Sequence, residues 1–221
     1  MIDGRRSRVV AALGLALFIC FAVVAHIAIV DSSRLPAVGA SLSVFSIAAF
    51  VVVPVFRSRG PLSASLAVAA AVFALWMGWP VLKRHFPSVF FVEHAGANLA
   101  LAIVFGRTLI GNREALCTRC ARFLHKALPP DVERYTRQVT IAWTIFFGFM
   151  FAVSCALYIS GFVAVWSVFA NLLSPVLVAA MFVAEYLIRR LVLPKWERTS
   201  LLGGIRAVAR YFAVAQPDAP R

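Results

Sequence analysis

Glu93 and His94 are the residues of this chain best suited to chemistry. A carboxyl and an imidazole stand side by side, Asn98 follows His94 by one helical turn, and the run around them from Val89 to Phe105 is otherwise apolar. An ionised carboxylate at mid-bilayer costs roughly 2.5–3.5 kcal/mol on insertion scales, so an acid there calls for a ligand, a proton or a structural partner. Two readings follow. Glu93, His94 and Asn98 form one polar cluster for a ligand or proton, with Glu93 and His94 as the candidate catalytic pair of a small lipid-modifying enzyme or proton-coupled transporter. Alternatively, the cluster fixes a helical hairpin. Glu93 lies early in its run, about 6 Å inside the boundary at ~1.5 Å per residue, where Lys83 or Arg84 can reach it.

Three other groups have suggestive spacing. Glu185 precedes Arg189 by four residues, which permits a structural ion pair on one helix face. Asn171, Ser174 and Pro175 make the middle of the same run polar and kinked. Cys117-Thr-Arg-Cys120 is a lone CxxC. A closed zinc site takes four ligands; His125 offers a third and nothing nearby a fourth, so no metal and no cofactor are expected. Arg119 would favour a thiolate, but two small residues on a helix explain the pair as well. The chain lacks GxSxG, HExxH and a phosphate-binding glycine loop, so hydrolase, protease and nucleotide-driven pump readings have no motif behind them.

The elements that position these residues follow from composition. A chain of 221 residues that is 62% hydrophobic and only 14% charged departs far from a water-soluble domain. Six apolar runs, Val9 to Val30, Ala37 to Phe56, Leu62 to Leu82, Val89 to Phe105, Val139 to Ile159 and Trp166 to Ile188, each approach the ~17–25 residues that cross a bilayer as helix. With the N-terminus in the cytoplasm, only Arg34, Lys83 and Arg84 of the 22 Lys and Arg fall outside. That is the positive-inside pattern. The expected fold is an all-α polytopic bundle of six transmembrane helices, N-in and C-in, forming a single membrane domain over 1–221. The first run is read as a retained anchor, since it exceeds the ~7–15 residues of a signal-peptide core. Short loops and this orientation point to a bacterial inner (cytoplasmic) membrane.

Outer turns are expected at 31–36, 83–87 and 160–161, with a cytoplasmic connection over 106–138 and a cytoplasmic tail over 189–221. From Arg113 to Leu128, Leu116, Cys120, Phe123 and Leu124 recur at helical spacing opposite Arg119, Arg122 and Lys126, which predicts a helix lying in the interface. Leu201, Ile205, Val208 and Phe212 predict another. Trp76, Trp79 and Trp166 near the outer boundary, with Trp143 and Trp196 near the inner one, suggest an aromatic belt. Small residues repeat every four positions at Gly148, Ala152, Ala156 and Ser160, and at Ala70, Ala74 and Gly78; such stripes usually mark packed faces.

A net charge of +13 would suggest nucleic acid in a soluble protein, but the basic residues flank spans and no nucleic-acid module is present; anionic lipid is the better partner. Arg107, Arg134, Tyr135 and Arg137 crowd the inner mouth of the fifth run, where guanidinium and hydroxyl groups suit phosphate head groups or an acidic partner. Six helices are few for a stand-alone transporter, so a homo-oligomer or larger complex fits.

The stretch Leu128-Pro-Pro-Asp-Val-Glu-Arg-Tyr-Thr-Arg-Gln-Val-Thr-Ile-Ala-Trp143, with Phe105-Gly-Arg-Thr-Leu109, Trp166-Ser-Val-Phe-Ala-Asn171 and Phe182-Val-Ala-Glu-Tyr186, resembles an uncharacterised family of bacterial inner-membrane proteins. Members are often encoded beside enzymes that make aryl polyene or xanthomonadin-type pigments. The resemblance covers Glu93 to Leu193 and carries no catalytic residues. It implies a membrane protein without activity of its own that assists biosynthesis, scaffolding or translocation of a lipid-linked acyl or polyene product, with biosynthetic enzymes or an acyl carrier protein as partners.

Overall fold

A computed structural model of the chain describes the backbone of residues 2–58, 61–111, 113–124 and 128–193, and the side chains of 12–46, 48, 72–111, 113–123 and 128–193. Among these residues the regular structure is all helical, without strands. We number the helices α1 (Ile2–Val30), α2 (Pro36–Ser58), α3 (Pro61–Gly106), α4 (Leu116–Leu124), α5 (Pro130–Ile159) and α6 (Val163–Val192). Four described stretches are long and apolar enough to cross a membrane: Ala12–Val30, Val72–Gly106, Pro130–Ile159 and Val163–Val192; Pro36–Ser46 is a shorter apolar helix. The second predicted amphipathic helix, Trp196, His125 and Lys126 lie outside the described residues.

Local sequence accounts for the helix ends. Pro36, Pro61 and Pro130 each take the first helical position, where the missing N–H is no loss. Asp131 and Glu133 follow in the first turn of α5, where acidic groups complement the helix dipole. At the far end of α5, Gly161 adopts φ +79°, Phe162 N–H donates to the Leu157 carbonyl and Gly161 N–H to that of Tyr158. This is a Schellman stop, and a left-handed residue there favours glycine.

One expectation is corrected. The runs Leu62–Leu82 and Val89–Phe105 are not separated by a turn at 83–87; both belong to the 46-residue helix α3. The segment holds no glycine or asparagine to reverse the backbone, and Pro80 and Pro87 sit inside the helix. An internal proline removes a hydrogen bond and bends the axis there. Arg84 and His85 are exposed on its surface. A straight helix of this length would measure about 69 Å, more than twice a hydrocarbon core of about 30 Å.

The described residues fall into two compact units. The first comprises the described residues of 2–94 and 154–174. Its core is Ala25, Ala28, Ile29, Ala40, Phe86, Phe90 and Trp166, with Leu35, Trp79, Leu82, Tyr158 and Val163 packed around it. Small alanines on α1 and α2 leave room for the rings of α3 and α6. Phe91 stacks on Tyr158 with centroids 4.2 Å apart, and Tyr158 meets Trp166 edge-on at 5.2 Å. Residues beside the turns at 31–35 and 160–162 thus share one core with residues 86–90. The segment read as an outer turn lies at the level of the other two turns, although it is helical.

The second unit comprises the described residues of 95–153 and 175–193. Trp143 is its aromatic centre, with centroids 6.3 Å from Phe105, 5.3 Å from Phe147 and 4.7 Å from Phe182. Helix α4 is docked through its N-terminus. Leu116 N–H donates to Thr108 Oγ1 at 3.0 Å and Cys117 N–H to Thr140 Oγ1 at 3.1 Å. Two threonines remote in sequence satisfy donors that every helix start leaves open. Arg122 bridges Glu114 and Glu133.

Two further expectations fail on packing. Trp143 and Trp166 are buried at 6% and 0% exposure, so they are core residues and not belt residues; Trp76 is exposed. On α5, Ala152 and Ala156 are exposed, as is Ser160 just past its end, and Gly148 is half-buried, while Trp143, Phe147, Met150 and Ser154 form the buried face. On α3, Ala74 is exposed and Gly78 half-buried. Aromatic and polar contacts outweigh small-residue approach in selecting these faces.

A methyl group added at Gly39 would collide with the ring of Phe86, which is fully buried and cannot swing away. Gly39→Ala is expected to cost about 1–3 kcal/mol, read as a lowered Tm in detergent. An unchanged Tm would show that α2 and α3 do not meet there.

Candidate functional site

On a helix, neighbouring residues point about 100° apart, so Glu93 and His94 need different surroundings. They find them. Glu93 Oε2 lies 2.5 Å from Ser46 Oγ on α2, while its Oε1 is buried without a hydrogen-bond partner. His94 reaches the other way, with Nδ1 3.0 Å from Ser154 Oγ on α5 and Nε2 2.9 Å from Ser174 Oγ on α6. Its ring meets Phe169 edge-on at 5.7 Å. Asn98, one turn beyond His94, is also buried. Within the expected cluster of Glu93, His94 and Asn98, Glu93 and His94 thus turn to different partners.

The partners of His94 assign its proton. Trp166 Nε1–H donates to Ser154 Oγ at 2.9 Å, which leaves the Ser154 hydroxyl proton for His94 Nδ1. Ser174 gives its hydroxyl proton to the Phe169 carbonyl at 2.8 Å, so Ser174 Oγ accepts from His94 Nε2–H. Donors and acceptors close on a neutral imidazole. A doubly protonated ring would aim a second donor at Ser154 Oγ and strand that hydroxyl's own proton. Ser154 and Ser174 are 0% and 7% exposed, and each is committed to a further partner. The arrangement joins three helices rather than offering a nucleophile.

The predicted polar kink in α6 is a π turn over Phe169–Leu173. Ser174 directs both its backbone N–H and its hydroxyl to the Phe169 carbonyl, just before Pro175 removes the next donor. Single π turns recur at functional sites. Asn171 does not line an opening; its amide donates to the carbonyl and hydroxyl of Ser167. Ser167 Oγ in turn lies 3.0 Å from His26 Nδ1 on α1. His26 and Asp31 have the His-x-x-x-x-Asp spacing used by many membrane acyltransferases. Five helical residues turn them about 140° apart; His26 faces Ser167 and Asp31 faces Arg34. The spacing carries no dyad.

In the second unit the predicted pair forms, with Arg189 Nε 3.6 Å from Glu185 Oε1. The docking role of Tyr135 is corrected. Its side chain is buried and its hydroxyl donates to the Glu185 carbonyl at 3.1 Å, because residue 135 falls with Val132 on the face of α5 that packs against Leu193. Arg107, Arg134 and Arg137 are exposed, and Arg137 donates to the Leu109 carbonyl at 3.2 Å.

Burial pushes the Cys117 thiol up to about 12 and Cys120 to about 11, the reverse of what redox exchange or metal capture requires. Among the described residues, no three His, Cys, Asp or Glu come together. The chain matches no protein-family model, no curated protein and no solved structure.

Ser154→Ala would strand Trp166 Nε1 and His94 Nδ1, at about 1–3 kcal/mol for each orphaned group. Ser160→Ala, at an exposed site in the turn just past the same helix, should leave the melting temperature unchanged. Equal melting temperatures for the two variants would contradict the joint. Alkylation of Cys117 and Cys120 should keep accelerating past pH 9 toward 11, because the thiolate forms only there; a plateau near the ordinary thiol range would show that burial does not govern them.

Proposed function

We propose that the chain is a polytopic protein of a bacterial inner membrane whose cytoplasmic arginines receive the anionic end of a lipid-linked acyl or polyene product, or an acidic carrier protein. It assists biosynthesis or translocation of that product without chemistry of its own. A six-crossing, N-in and C-in topology requires the chain to reverse direction at residues 83–87. In this reading α3, already interrupted by Pro80 and Pro87, opens there into a hairpin in the membrane, because a continuous helix cannot cross one bilayer twice. The common level of 31–35, 86–90 and 160–162 in the first unit supports this arrangement, as does a helix too long for one crossing. The connection from 107 to 129 then lies on the cytoplasmic side, in accord with its charge.

The observation that carries the docking role is a division of labour among arginines. Arg122 is held by Glu114 and Glu133, and Arg189 by Glu185. Among the described residues Arg107, Arg134 and Arg137 are exposed and have no carboxylate. Their charge is left for an external anion, and guanidinium groups bind phosphate in a two-pronged manner. The likeness of 105–109 and 128–143 to the pigment-associated family supports the acyl or polyene setting.

The triple change Arg107→Gln, Arg134→Gln and Arg137→Gln tests this. At about 1 kcal/mol for each basic residue near an anionic surface, affinity for acyl carrier protein or anionic lipid should fall on the order of 100-fold. The Arg122 and Arg189 pairs are untouched, so the melting temperature should hold. Unchanged affinity in a folded triple variant would refute the docking role.

A further inference from the structure

Glu93 presents a proton-counting problem that the docking role does not use. The Ser46 hydroxyl has one proton and two acceptors in reach, the Ser43 carbonyl at 2.9 Å and Glu93 Oε2 at 2.5 Å. When the proton goes to the carbonyl, Ser46 Oγ must accept, and the group facing it can donate only as a carboxylic acid. The other oxygen, Oε1, is buried with no donor. An orphaned neutral carbonyl costs far less in apolar surroundings than an orphaned carboxylate oxygen.

Among the described residues no counter-ion stands nearby. The described side chains of α1 include one ionisable imidazole, His26, engaged with Ser167, and Cys20, which is exposed. Those of α2 include no charged residue, nor do residues 154–174. Cys155 and Tyr158 titrate on that segment, and Tyr158 is taken up by Ser88 and Phe91. His94, next along α3, points to Ser154 and Ser174. Lys83, Arg84 and His85 lie at least two turns earlier on the same helix, and among the described residues no ion pair links them to Glu93.

We propose that Glu93 is a reversible proton-binding site, protonated in the resting protein, whose O–H donates to Ser46 Oγ and latches α3 to α2. Loss of the proton to water leaves a carboxylate with one oxygen unpartnered in an apolar interior. The anion is accommodated only if water enters or α2 parts from α3, so proton release is linked to opening of that contact. His94 takes no part, since its donors and acceptors are already matched.

Infrared difference spectra of the full chain in lipid at neutral pH read the proton directly. Wild type minus Glu93→Gln should show the carbonyl stretch of a protonated carboxylic acid, shifted by deuterium exchange. Ser46→Ala should move that band without removing it, and it leaves the carboxyl intact should the glutamine variant fail to fold. Loss of carboxylate bands in the Glu93→Gln difference, or a wild-type spectrum without the acid band that Ser46→Ala moves, overturns the proposal. Neither result depends on the arginine surface.

Discussion

Hydrocarbon offers no hydrogen bonds and gives apolar side chains no reason to leave it, so a helix bundle in a membrane depends on polar groups finding partners within the chain. The first unit is organised around that constraint. His94 ties α3 to α5 through Ser154 and to α6 through Ser174, Trp166 completes Ser154, and His26 ties α1 to α6 through Ser167. Each bond satisfies a group that would otherwise be stranded. The aromatic core of Phe86, Phe90, Phe91, Tyr158 and Trp166 then fills the space that those bonds define. In the second unit, Thr108 and Thr140 do the same for the open N-terminus of α4.

The same constraint explains which parts of the fold are legible in a linear sequence. Apolar runs, charge asymmetry and i,i+4 spacing are local properties, and they anticipate the long helices, the Glu185–Arg189 pair and the irregular middle of α6. The choice of packed face is not local. In a span the lipid-facing and buried faces are both apolar, so composition could not tell the exposed Ala152 and Ala156 from the buried Phe147 and Met150. Trp143 and Trp166 look like belt residues by position and are core by contact. Lys83 to Pro87 looks like a turn because charge and proline usually end a span, yet both are tolerated on a helix surface.

The candidate site was legible as residues and not as partners. Glu93 and His94 stand out in sequence, but Ser46, Ser154 and Ser174 lie 47, 60 and 80 residues away, and serine is too common in spans to signal them. Tyr135 was drawn into the basic surface by its arginine neighbours, although helix geometry turns it inward. Among the described residues, what remains exposed is a set of arginines without acids, and what remains half-buried is an acid without a base. The first suits an anionic partner and the second a proton.

The account stands on the two sides of the membrane being correctly placed. In a cysteine-free background, single cysteines at Ser33, Arg84 and Arg113 would be tested with a membrane-impermeant thiol reagent in intact and permeabilised cells. The account predicts labelling of the first two from outside, and of Arg113→Cys only after permeabilisation. Labelling of Arg113→Cys in intact cells, or protection of Arg84→Cys while Ser33→Cys reacts, would contradict it.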